Sequence, residues 1–242
     1  MPSTRPFLPS MPRTRAARAA LAAGVALSAA AALFACDGNK STSPKQQPLD
    51  PALVAQGKTV FRFDTYGNET FWTDTLRMHE VIAAGVSPTT ALSVGLKVDL
   101  DTLPQAVRDA IVAGQVDLNS PATTVALLKL GAVVGVIGEV DANDNLTKVG
   151  VTCALCHSTV DNAFAPGIGH RLDGWPNRDL NVGAIIALSP ALTSAQKAVY
   201  NSWGPGMYDA RFNIDGVSLP VVIPPAFGFT LMRSRRLDPS NE

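Results

Sequence analysis

Val149-Gly150-Val151-Thr152-Cys153-Ala154-Leu155-Cys156-His157 is the stretch on which the organisation of this 242-residue chain turns. β-prone residues run without a turn signal into two cysteines and a histidine. Upstream, Ala132 to Val140 is dense in Val and Ile, and Asp141-Ala142-Asn143-Asp144-Asn145 supplies a turn. Leu146 to Thr152 then resumes β-prone residues, so a β-hairpin is expected whose second strand feeds the motif. The flanks read as helices. A short one spans Ala52 to Phe61, broken by Asp64 to Glu69; Trp72, Leu76, His79 and Ala83 then share one helical face that Gly85 and Pro88 terminate. Pro104 opens a helix to Gly114, Ser120-Pro121 opens another to Gly131, and Thr193 with Gln196 forms a capping box for Ser194 to Trp203. The expected fold is mainly α with one small sheet.

Cys153-Ala154-Leu155-Cys156-His157 is CxxCH, the attachment signature for covalent haem. On a helical turn, residues i, i+3 and i+4 lie on one side. Two thiols so placed can bond the two vinyl groups of one porphyrin, and the adjacent imidazole can ligate its iron. One haem c is therefore expected, held by Cys153, Cys156 and His157. Two rival readings use the same residues. A thiol–disulfide CxxC usually opens a helix in a βαβ setting, which is not evident here. A zinc knuckle needs two more ligands, and the chain has only Cys36, His79 and His170 besides.

Further candidates follow the motif. Ala165-Pro166-Gly167-Ile168-Gly169 is an apolar loop, and the Pro166 carbonyl is the expected acceptor for the Nδ1–H of His157; the alternative is an ordinary surface turn. Arg171 and Arg178 are candidates to bind the haem propionates, with Trp175 able to donate an indole N–H. Alternatively, Asp173 and Asp179 pair with those arginines on the surface. The second axial position decides between electron transfer and ligand binding. His170 is the first candidate metal ligand there and Met207 the second, with Met78, His79 and Met232 behind them; an open position is the remaining option.

The N-terminus has its own logic. Arg5, Arg13, Arg15 and Arg18 precede an apolar run from Ala19 to Phe34, the layout of a secretory signal over residues 1–35. Leu33-Phe34-Ala35-Cys36 resembles a bacterial lipobox, which makes Cys36 the expected lipidation site; a plain signal peptide or an uncleaved anchor are the alternatives. Residues 36–51 are polar and Pro-containing and read as a tether, 52–229 as the folded domain, and 230–242 as a tail. Twenty basic and twenty acidic residues balance, and loss of the four signal arginines leaves about −4. That balance gives no footprint for nucleic acid and suits a basic redox partner. Localisation on the periplasmic side of a bacterial membrane, through the lipid, follows from this reading.

Thr152–Ser158, Gly167–His170 and Pro176–Arg178 together are similar to the first haem segment of di-haem cytochrome c peroxidases. Phe61–Trp72, Gly85–Pro88, Gly95–Asp99 and Val149–Cys153 look like the rubber-oxygenase-like branch of the same superfamily. The resemblance implies a cytochrome c-like haem domain, here with a large N-terminal helical insertion and the hairpin before the motif. It also implies that His170 can act as a displaceable iron ligand. Those enzymes carry two CxxCH motifs and this chain has one, so the chain is expected to stop where relatives continue into a second haem domain. The leading expectation is a lipid-anchored, single-haem electron carrier. A peroxidase- or oxygenase-like haem domain is the alternative, and a haem-free thiol or metal-binding lipoprotein is the third.

Overall fold

The structure, a computed structural model, describes residues 49–227. The expected signal peptide, Cys36, most of the expected tether, Met232 and residues 230–242 lie outside the described residues. Among the described residues no helix is long and apolar enough to cross a membrane.

Helix α1 (Pro51–Phe63) starts where Asp50 accepts a hydrogen bond from the Ala52 N–H at 2.8 Å. The expected continuous helix around Trp72 is instead two pieces. Thr70–Thr75 is π-helical, Arg77 adopts a left-handed backbone (φ 56°), and α2 (Met78–Gly85) begins afresh. The interruption frees the Leu76 carbonyl, which accepts from the Ser189 hydroxyl at 2.7 Å. Pro88 does not only end α2. With Ser87 as cap it opens α3 (Pro88–Ser93). Then come β1 (Val98–Asp99), α4 (Gln105–Val112) and α5 (Pro121–Lys129).

The hairpin forms where expected, as β2 (Val136–Val140) against β3 (Leu146–Val151). Its outer edge is closed by side chains. Asn68 exchanges two hydrogen bonds with the Val151 backbone (2.7 and 2.9 Å), and Thr73 does the same with Val149 (2.9 and 2.9 Å). An edge strand that would otherwise invite another chain is thereby satisfied. The remaining elements are α6 (Cys153–His157), β4 (Ser158–Val160), β5 (Ile168–Gly169), β6 (Arg171–Asp173), α7 (Val182–Ala187), α8 (Ser194–Asn201), β7 (Met207–Tyr208), α9 (Phe212–Asp215) and β8 (Val221–Val222). The Thr193–Gln196 capping box is present at α8.

Mainly α with one sheet is therefore incorrect. Helix is 43% and strand 15%, and the strands form four two-stranded sheets among the described residues, a mixed α/β arrangement. β1 pairs with β5 in parallel, while β4–β6 and β7–β8 are antiparallel. Strands of two or three residues are too short to leave an alternating apolar pattern, so they escape a periodicity reading. The main apolar core runs from Leu76 and Leu103 through Ala132 and Leu155 to Leu180 and Trp203, and Val134, Ala154 and Val160 form a smaller cluster. Near its C-terminal end Tyr200, Trp203 and Phe212 meet edge to face, at centroid distances of 4.9 to 5.8 Å.

Gly135, just before β2, places this core against the CxxCH turn. Its φ is 73°, and a methyl there would collide with the Leu155 backbone. Gly135→Ala is expected to cost at least about 2 kcal/mol, from the left-handed backbone and the overlap together. Thermal melting followed by circular dichroism checks this, at about 2–4 °C per kcal/mol for a domain of this size. Gly57→Ala, which meets nothing on an exposed face of α1, is the control and should be neutral or stabilising.

Candidate functional site

The α6 turn is built to point its chemistry outward. Thr152 caps it, accepting from the Ala154 N–H at 3.2 Å, and the Thr152 N–H donates to the Gly135 carbonyl at 3.0 Å. Ala154 and Leu155 are buried, whereas Cys153 is exposed and Cys156 and His157 are half-buried. Residues 153, 156 and 157 thus share one side of the turn while 154 and 155 anchor the other in the core.

The exposed carbonyls at the end of so short a helix need partners. The Asn177 N–H donates to Cys156 at 2.9 Å, and the Gly174 N–H to His157 at 2.8 Å. Gly174 in turn accepts from the Ala226 N–H at 2.8 Å. These bonds bring a Trp175 that is 55% exposed and Phe227 together beside the turn, with ring centroids 5.7 Å apart.

The His157 ring is fixed by Pro224. Its Nδ1 lies 2.9 Å from the Pro224 carbonyl oxygen, which can only accept, so Nδ1 carries a proton and the lone pair of the neutral ring is on Nε2. The acceptor is therefore Pro224 and not Pro166. Pro166 sits exposed on a tight turn closed by mutual hydrogen bonds between Ala165 and Ile168. Pro224 is far off in sequence, and a carbonyl acceptor has no sequence signature.

Arg171 also departs from expectation. Its side chain is only 4% exposed and turns inward, 3.3 Å from Asp173 and 3.8 Å from Asp99. Asp173 is held too by Arg62, at 2.5 Å, and by the Ser158 hydroxyl, at 2.8 Å. Burial pushes the Asp173 carboxyl up, but the bonds from Arg62 and Ser158 and the Arg171 charge outweigh it and leave it below its usual range. The deeper Asp99 is raised, because burial dominates there. Arg171 thus pairs with Asp173 as the alternative reading had it, but inside the protein. Arg178 is exposed, and Asp179 is engaged by the buried Lys97 at 2.6 Å.

The histidine candidates for the distal position are dispersed. His170 is exposed and its Nδ1 meets the Asp101 carboxylate at 2.8 Å. It sits at the far end of the β4–β6 ladder, where its carbonyl accepts from Asp161, roughly 13 Å along the strand from His157 at about 3.3 Å per residue. Met207 is half-buried on β7, paired with Val222 two residues before Pro224, Met78 is buried, and His79 lies 3.9 Å from Glu80 with a buried Nδ1 that has no partner. No hydrogen bond or ion pair joins His79 or His170 to the turn among the described residues.

The donor set bears on the rival readings. Both cysteines are free thiols, and burial with the neighbouring Cys153 pushes the Cys156 thiol up to about 11. Among the described residues, no three His, Cys, Asp or Glu side chains converge to hold a metal ion. Two thiols and an imidazole that share a side without converging do suit a porphyrin, whose vinyl groups and metal are spread over a ring. No family model, curated protein or solved structure matches the chain.

Proposed function

We propose that this chain attaches one haem c through thioethers at Cys153 and Cys156, with His157 Nε2 on the iron, and carries single electrons in the cell envelope. The observation that supports this best is the His157–Pro224 bond, which occupies Nδ1 and leaves Nε2 as the nitrogen for the iron. Haem bound there supplies a one-electron centre. The chain's own part is to orient the imidazole through Pro224. Exposed Arg178 is the remaining candidate to meet a propionate, since Arg171 is engaged with carboxylates. Attachment to the periplasmic side of a bacterial membrane through lipidated Cys36, and a basic redox protein as partner, complete the reading.

The competing proposal is a peroxidase- or oxygenase-like haem domain, related to the di-haem cytochrome c peroxidases. The commitment of His170 to Asp101 favours it, since that histidine is not turned toward the motif. Expression with a haem-maturation system and carbon monoxide titration of the reduced protein decide between them. A carrier with two firm axial ligands should show a Soret band that carbon monoxide leaves unchanged. Rapid binding supports the enzyme-like reading, and matured protein with no Soret band ends both.

A further inference from the structure

An apolar cavity of about 80 Å³ lies inside the body, behind the α6 turn. Ile82 of α2, Leu92 of α3, Leu96, Leu128 of α5 and Leu155 of α6 line it, and the half-exposed Leu188 stands at its solvent end. Leu155 belongs to the side of the turn opposite the two thiols, so the space is separate from the face assigned to haem.

Its polar lining is small and mostly committed. Thr90 shares a hydrogen bond with Ser87 at 3.0 Å, and the Lys97 ammonium is held by Asp179 at 2.6 Å. The Thr124 hydroxyl is buried and without a partner. A buried water needs two to four polar partners, and the lining of this space is almost wholly apolar. Cavities of this kind stay dry, and an engineered one of about 150 Å³ takes benzene or xenon. This space is about half that, which suits a smaller guest.

We infer that this cavity is a binding site for a nonpolar molecule of the size of dioxygen or xenon. Such a guest regains dispersion contacts that the leucine and isoleucine walls otherwise lack, and gives up no hydrogen bonds on leaving water. The site places a nonpolar gas against Leu155 of the motif turn, on its core side. The inference does not depend on haem attachment.

Xenon is the probe. Methyl NMR spectra of the full chain, recorded at rising xenon pressure, should show saturating shifts at Ile82, Leu92, Leu96, Leu128 and Leu155. Ala91, which also lines the space, can be enlarged. Ala91→Leu should abolish those shifts while the melting temperature holds or rises. Should that variant not fold, xenon-pressurised crystals of the unaltered chain give the same answer through an anomalous peak in the cavity. Shifts that are linear or confined to other side chains, an absent xenon peak, or an ordered water in the space would overturn the assignment.

Discussion

Replacing both Cys153 and Cys156 with alanine is expected to abolish covalent haem, from one per chain to less than about a tenth of that on a denaturing haem-stained gel, if these thiols form the thioethers proposed above. The single variants should differ from each other. Cys153 is exposed and Cys156 half-buried, with its thiol pushed up to about 11 by burial and by Cys153. The Cys153 sulfur is the more accessible of the two, so Cys156→Ala should keep a single thioether at reduced yield. Cys153→Ala leaves only the shielded thiol and should retain less. A lone thioether leaves one vinyl group conjugated with the ring, so the reduced α band of either single variant should move to longer wavelength. Equal haem retention in the double variant and the unaltered chain would end the thioether assignment.

What could be read from the chain depended on how local the cause was. The hairpin was legible because Val136–Val140 and Leu146–Val151 are each long enough to show β-prone composition around an Asp/Asn turn. The helix at Ser194 was legible because Thr193 and Gln196 carry its capping chemistry within four residues. Helix α7, at Val182–Ala187, was missed although Asn181 caps it by accepting from the Ala184 N–H at 3.0 Å. Six residues without Ala/Leu periodicity are a faint signal. The site was half legible. CxxCH defines its own turn, but the partner of His157 lies 67 residues away and is a backbone oxygen. The same applies to Arg171. Its neighbour Asp173 suggested surface pairing, whereas Asp99 and Arg62, brought in by β1 and α1, make the pairing internal.

Arg171→Met should destabilise the body by about 3 kcal/mol near pH 7, the cost of leaving a buried charge without its partner. The charge left behind is Asp99, only 2% exposed, whose carboxyl burial already raises above its ordinary value. The direction of that shift fixes how the loss varies with pH. A carboxyl raised in the folded state favours folding fully below its unfolded pKa of about 4, and the benefit is lost as pH rises through the folded pKa. Removing Arg171 takes away an attraction that opposes the rise, so the folded pKa climbs further. The deficit should therefore shrink as pH falls from about 7 toward 4, when Asp99 takes up a proton. Asp173 works in the opposite sense, since its depressed carboxyl stabilises above the unfolded pKa and loses that effect as pH falls. Arg62 and Ser158 still hold it in the variant, so most of its contribution cancels in the comparison. Urea unfolding of both proteins across this range measures the difference, and Asp99→Asn combined with Arg171→Met should recover most of the stability at neutral pH. A deficit that stays constant with pH, and that Asp99→Asn does not relieve, would mean that lost packing of the arginine stem, and not an orphaned carboxylate, is what the substitution costs.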